Sequence, residues 1–253
     1  MFENAIVRSP GQSLTGGLTT AHLGKPDYKR ALKQHGTYIK ALKCCGVRVK
    51  VLEADEQYPD AVFVEDTAVL PERCAVVTRP GAPSRQGEEV SIKNTLKNIY
   101  TCVETITAPG TLEGGDVMRV GNHFYVGLSA RTNEQGYRQF ADILHKYGYT
   151  ASPVKMEKCL HLKTGLAYLE NNNLLVAGEF IAHEEFKKFN RILIDESESY
   201  AANCIWVNNV VLVPLGFPKT KAAIERVGYS VIEVDVSEFR KLDGGLSCLS
   251  LKF

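Results

Sequence analysis

The chain has 253 residues, and 30 Lys+Arg against 29 Asp+Glu leave a net charge of +1, so no basic excess recommends nucleic acid or an anionic membrane surface as a partner. No apolar run approaches the ~20 residues of a membrane-spanning helix, and the opening Met1-Phe2-Glu3-Asn4 lacks the basic and then apolar pattern of a secretion signal. The seven cysteines (Cys44, Cys45, Cys74, Cys102, Cys159, Cys204 and Cys248) are an odd, scattered set with no C-x-x-C pair, which fits free thiols in a reducing cytoplasm and no zinc site. A small-molecule partner is the expectation that remains.

Ala5-Ile6-Val7 opens as a short strand. The stretch from Arg8 to Thr20 is too polar and glycine-rich for a regular element, and Gly16-Gly17 offers a hinge, so residues 12–24 read either as a plain loop or as a lid over a ligand. Leu32, Tyr38, Ile39 and Leu42 predict a helix over 29–42 that ends before Gly46, and 47–52 follows as a strand. The passage 58–70 then sets Asp60, Glu65 and Asp66 among apolar, β-prone residues. Burying unpaired carboxylates costs several kcal/mol, so these acids want a cationic partner or a solvated turn.

A polar cluster followed by a strand, a turn and a second strand returns around Glu113 and Asp116, around His161 and Thr164, around Asn203, and at Gly244 before Cys248. From Asp66 to Asp116, Thr164, Asn203 and Gly244 the steps are 50, 48, 39 and 41 residues, an irregular period that implies five repeated units. Helical segments fall between them at 88–99, 133–147, 184–190 and 220–227, with 231–234 as an example of the strand that follows. The expectation is an α/β fold, one domain over 1–253 of five ββαβ repeats with quasi-fivefold symmetry. If the units close in a ring, Glu65, Asp66, Glu113, Asp116, His161, Asn203 and Cys248 surround one cavity.

The tail Cys248-Leu249-Ser250-Leu251-Lys252-Phe253 alternates with period 2 and predicts a half-buried strand, with Cys248, Ser250 and Lys252 on the less apolar face. Gly244-Gly245 just before it permits positive φ or a close approach to the backbone, as a presented nucleophile requires; the alternative is a small buried thiol after a turn.

Four motifs, Phe-Val-Glu-Asp at 63–66, Leu-Glu-Gly-Gly-Asp at 112–116, Leu-His-Leu-Lys-Thr-Gly at 160–165 and Asp-Gly-Gly-Leu-Ser-Cys at 243–248, together resemble the guanidino-group modifying enzymes of the five-bladed α/β-propeller, or pentein, superfamily. The match is similar over essentially the whole chain to bacterial-type dimethylarginine dimethylaminohydrolases. That resemblance implies that Cys248 is the nucleophile, His161 the general acid and base, and Glu113 the carboxylate that orients them. It implies that Glu65 and Asp66 receive the guanidinium, that Asp60 helps hold the amino-acid end, and that Arg85 and Arg131 bind the substrate carboxylate. Leu18 falls in the family's mobile loop and Leu242 matches a backbone contact, while Phe63 is the apolar neighbour expected for a methylated nitrogen. No metal and no other cofactor is implied; the partner is a guanidino substrate, and a homodimer is expected from the resemblance and from the frequency of symmetric dimers.

The rival readings are an arginine deiminase and an amidinotransferase of the same fold, whose chains are generally longer. From another class comes a non-catalytic ribosome-binding propeller, which has no need of a thiol, an imidazole and carboxylates at matched registers.

Overall fold

The computed structural model describes residues 1–253. Its strands form five separate three-stranded sheets. In chain order they are β1 (Asn4–Arg8), β2 (Arg48–Leu52), β3 (Ala68–Val69), β4 (Ala75–Val77), β5 (Val103–Thr105), β6 (Val117–Val120), β7 (His123–Leu128), β8 (Thr150–Lys155), β9 (Leu166–Tyr168), β10 (Asn173–Val176), β11 (Asn190–Leu193), β12 (Ile205–Val207), β13 (Val210–Pro214), β14 (Ser230–Val234) and β15 (Leu251–Lys252). In four of the sheets the middle strand pairs antiparallel with the strand before it and parallel with the strand after, and in the first sheet β15 takes the antiparallel place beside β1. An antiparallel step needs only a hairpin, whereas a parallel step needs a crossover, and here the crossover is usually a helix.

The crossovers are α1 (Tyr28–Cys44), α2 (Glu89–Leu96) and α3 (Glu134–Lys146) in the first three sheets, and after the single-turn α4 (Leu162–Gly165), α5 (Pro218–Arg226) in the last. Asp27 caps α1 by accepting from the Arg30 N–H at 2.8 Å, and Asn133 caps α3 by accepting from Gly136 N at 2.7 Å. The buried stripe of α1 is Ala31, Gln34, His35, Tyr38, Ala41 and Leu42, with Leu32 exposed on the outer side, a correction to the expected stripe. A second correction concerns 184–190. In place of a helix, two 3-10 turns, Gly178–Ala182 and Glu184–Phe186, bury Phe180 and Phe186 before β11 begins at Asn190. The thirteen-residue link between Val176 and Asn190 reaches the parallel strand by packing aromatic rings rather than by regular hydrogen bonding.

The first sheet contains both chain ends, β15 pairing antiparallel with β1 through Ala5–Lys252 and Ile6–Leu251, so the C-terminal strand completes the unit that residue 4 opens. Short turns precede the first strand of every sheet: Val64–Thr67, Gly114–Asp116, Leu162–Gly165, Glu196–Ala202 and Ser247–Leu249. They touch in sequence around the centre, and Asn203 joins the last two by accepting from Ser247 N at 2.9 Å. The anticipated repeat is therefore present, and its polar clusters occupy the inner turns. No helix is long and apolar enough to cross a membrane.

Candidate active site

The Cys248 segment differs from the alternating strand that its sequence suggests. Ser247–Leu249 is a 3-10 turn and only Leu251–Lys252 is strand. Tight packing on both sides forces the turn. A Cβ on Gly244 would lie 2.2 Å from the Phe63 ring, and one on Gly245 would lie 2.4 Å from the Asn203 side chain. Close approach, rather than positive φ, is what those glycines supply, since the positive φ falls on Asp243 at 59°. Tyr38 of α1 secures the segment from behind, its hydroxyl donating to Leu246 O at 3.0 Å and lying 2.7 Å from Ser250 Oγ. The Gly245 N–H points at Cys248 Sγ from 3.4 Å.

Cys248 opens onto a cavity of about 180 Å³ that His161 shares. His161 is the residue before α4, and its Nε2 lies 2.7 Å from Glu113 Oε2. Glu113, fully buried behind the imidazole, also accepts from Gly81 N at 3.0 Å and from Arg131 at 3.4 Å. Asp60, Phe63, Asp66, Arg85 and Arg131 line the same space, and Leu18 and Leu242 close its mouth. Asp66 accepts from Arg85 at 2.6 Å and from Gly115 N at 3.0 Å, while Arg85 also forks onto Glu88. The cation that the buried acids call for is thus partly internal.

Glu65 departs from the expected ring. Its carboxylate does not line this cavity; it accepts from Lys163 Nζ at 2.5 Å and Ser247 Oγ at 2.6 Å, on the side facing the second, more apolar pocket at the centre. Asp116 and Asn203 also stand behind the cavity rather than around it, Asp116 fully buried and Asn203 bound to Ser247. The side chains of Val64–Thr67 diverge around a 3-10 turn, so neighbouring acids at 65 and 66 face opposite compartments. Lys163 and Glu88 were invisible as site residues in the sequence; the only signal was the demand of buried acids for a cationic partner.

The electrostatics assign charge states. Burial opposes an imidazolium at His161, but Asp66, Asp116 and Glu113 outweigh it and raise the group to about 9. Burial first, then Glu65 and Asp66, push the Cys248 thiol up to about 12. The free site therefore holds a protonated histidine and a neutral thiol at neutral pH, not a thiolate depressed in advance. Asp66, Glu113 and His161 bring three potential metal-ligand atoms within 4.8 Å. A cation there would have to displace the His161 proton from its bond to Glu113 and share Asp66 with Arg85.

A family model described as N,N dimethylarginine dimethylhydrolase, eukaryotic, matches residues 24–250. The chain belongs to the dimethylarginine dimethylaminohydrolase family. It is 58% identical to the N(G),N(G)-dimethylarginine dimethylaminohydrolase of Pseudomonas aeruginosa, with 100% of both chains covered. To the enzyme of that name from Streptomyces coelicolor it is 33% identical, covering 99% of this chain and 96% of the relative. A solved structure of the Pseudomonas aeruginosa protein, a cysteine-to-serine variant complexed with citrulline, superposes with a TM-score of 0.99 at 58% identity over 100% of both chains. The dimethylarginine dimethylaminohydrolase fold is the pentein propeller, and the five sheets match it. Membership in this family favours the hydrolase reading over the deiminase, amidinotransferase and ribosome-binding ones.

Proposed function

We propose that this chain hydrolyses Nω-methylated arginines, asymmetric dimethylarginine and monomethylarginine, to citrulline and dimethylamine or methylamine through a covalent intermediate on Cys248. The observation that carries the reading is one small cavity that pairs a thiol and an imidazole with Asp60, Asp66, Arg85 and Arg131. An arginine-like molecule has a cation at one end and an ammonium and a carboxylate at the other, and this lining offers an opposite charge to each. In this reading Asp66 receives the guanidinium, Asp60 with the main chain near Leu18 and Leu242 receives the ammonium, and Arg85 and Arg131 receive the carboxylate. Phe63 and His161 flank the methylated nitrogen, which has no N–H to give a carboxylate. Glu65 acts from behind Cys248 rather than by touching substrate. The relative's complex with citrulline supports the product.

The guanidinium itself makes the nucleophile. A cation about 4 Å from the thiolate is worth about 4 kcal/mol at an effective dielectric of about 20, which is about a thousandfold in ionisation. The thiol proton leaves to solvent and Cys248 Sγ bonds to the guanidinium carbon. The C–N bond to the methylated nitrogen then breaks as His161, already protonated, donates its proton to the departing amine. Neutral His161 next takes a proton from water. The hydroxide adds to the thiouronium carbon, the C–S bond breaks, and citrulline leaves with the thiol re-formed. Glu113 holds the imidazole in register through both transfers.

The test is citrulline formation from asymmetric dimethylarginine, monomethylarginine and arginine at matched concentration, with the amine identified. Dimethylamine and methylamine from the first two, and a much slower reaction of arginine, are expected because an unmethylated nitrogen underfills its slot. Arginine as the best substrate, with ammonia released, would overturn the reading. We take 1–253 as one catalytic domain, since β15 completes the sheet that β1 begins. All seven cysteines are free, which supports a cytoplasmic setting, and a symmetric homodimer is proposed as the assembly.

A further inference from the structure

We infer that Asp116 is a positioning residue, a single buried anchor that fixes the general acid and the carboxylate-binding arginine relative to each other. The inference deepens the proposed hydrolysis and rests on the roles given there to His161 and Arg131. Asp116 is fully buried and does not line the cavity, so it acts through other groups. Its Oδ1 accepts from the Leu162 N–H at 3.0 Å, the amide next to His161. Its Oδ2 accepts from Ser129 Oγ at 2.7 Å and from Thr132 Oγ1 at 2.6 Å.

Each hydroxyl passes the constraint on. Ser129 Oγ, having donated to Asp116, accepts from Arg131 N at 3.0 Å and Thr132 N at 3.1 Å, which shapes the turn that carries Arg131. Thr132 Oγ1 accepts from Glu113 N at 3.1 Å, fixing the backbone of the carboxylate that holds His161. One anion therefore orders three stretches of chain, at 113, 129–132 and 162. A hydroxyl has one proton to give, and the carboxylate is what makes both hydroxyls donate towards it and accept from the backbone. A neutral amide at this position offers an acceptor to one side only, the two hydroxyls or the Leu162 N–H, and turns an N–H₂ on the other. Burial pushes the Asp116 carboxyl above its ordinary value, and the His161 cation with the Thr132, Ser129 and Leu162 hydrogen bonds opposes that rise, as the Asp116 charge in turn favours the proton on His161.

Three variants test this. Asp116→Asn keeps the shape but removes the charge and presents an N–H₂ either to the two hydroxyls or to the Leu162 N–H, all of which are donors here. Followed by NMR without substrate, the imidazole titration of His161 should fall by roughly one pH unit. Ser129→Ala removes the hydroxyl that holds Arg131 N and Thr132 N and leaves the Asp116–Leu162 and Asp116–Thr132 bonds in place: KM for dimethylarginine should rise several-fold while the His161 titration stays in place. Thr132→Val severs the branch to Glu113 and should lower kcat more than it raises KM. An unmoved His161 midpoint in Asp116→Asn, or an unchanged KM in Ser129→Ala, would overturn the inference. Should Asp116→Asn fail to fold, the KM-against-kcat split of the other two decides alone. Should the parent protein not hydrolyse dimethylarginine, the proposed function fails, and the substrate-free titration still decides the role of Asp116.

Discussion

His161 Nε2 and Glu113 Oε2 lie 2.7 Å apart in a place where Glu113 has no exposure to solvent, so the carboxylate cannot exchange the imidazole for bulk water. The bond fixes the orientation of the imidazole in the cavity that Cys248 shares and favours the protonated ring. Glu113→Gln keeps the shape and loses the charge. Its kcat should fall by about 10²-fold or more, within the range that a positioned proton donor supplies, with KM changed far less. If saturating turnover held and only KM rose, Glu113 would belong to binding rather than to proton transfer.

Because His161 is raised to about 9 in the folded protein from an ordinary 6.5, the folded state holds a proton that the unfolded chain releases. The stabilisation is complete below about pH 6.5 and is lost as pH rises through about 9. Urea unfolding of the parent should therefore show falling stability across that window, and His161→Gln should lose this part of the slope. A pH-independent midpoint in the parent from 6.5 to 9 would contradict the assignment. The Cys248 thiol, raised to about 12, adds its own loss only at higher pH, above its unfolded value of about 9.

Glu65 and Lys163 make opposing contributions to that thiol: the carboxylate holds it up and the ammonium lowers it. Glu65→Gln should alkylate at Cys248 several-fold faster than the parent at pH 8, and Lys163→Met should alkylate more slowly. Lys163→Met also leaves a buried carboxylate without its cation, a loss that reaches about 3–5 kcal/mol for fully buried pairs and is smaller here because the lysine side chain is 19% exposed. Equal alkylation rates in all three proteins would show that Glu65 has no hold on the nucleophile. Cys248→Ser should retain less than a tenth of the parent turnover with the fold intact, since a hydroxyl ionises far less readily than a thiol.

Those two lysine and glutamate positions also mark where reading the sequence stops. The fivefold repeat was legible because each unit repeats a polar turn before an alternating strand, and period survives without any knowledge of contacts. The placement of Cys248, His161, Asp60, Asp66, Arg85 and Arg131 about one cavity is what the family resemblance implied, only Cys248, His161 and Asp66 lying within its motifs. Glu65 did not follow, because adjacent residues in a 3-10 turn diverge and the sequence carries no marker of which one faces the nucleophile's front. The strand expected from 248 onward failed for a related reason. Alternation records side-chain burial, and Cys248, Leu249, Ser250 and Leu251 are all buried here, so the pattern lost its meaning where both faces pack. Thiol ionisation was equally hidden, since it depends on burial and on two carboxylates and a lysine distant in sequence.

The loop at 12–24 is held at two points with a free link between them, and that arrangement argues for a lid. Its start is fixed by Glu56, which accepts from Gln12 N and Ser13 N at 2.8 Å, and by the buried Leu14. Its far part lies over the cavity mouth, where Leu18 N donates to Asp60 and Thr20 donates to Asp243 through both N and Oγ1. A Cβ placed on Gly16 would meet nothing within 4 Å, so the far part can swing about residue 16 while the near part stays. Asp243→Gly removes both Thr20 bonds without straining the backbone, because φ of 59° at this position is a conformation glycine adopts freely. Hydrogen exchange at residues 18–24 should then quicken in the empty protein, KM for dimethylarginine should rise several-fold, and saturating substrate should restore slow exchange. Asp243→Asn, which tolerates the same φ and keeps an acceptor for Thr20, should behave close to the parent. Exchange over 18–24 that is fast in the parent and unaltered by saturating substrate would reduce the segment to a plain loop.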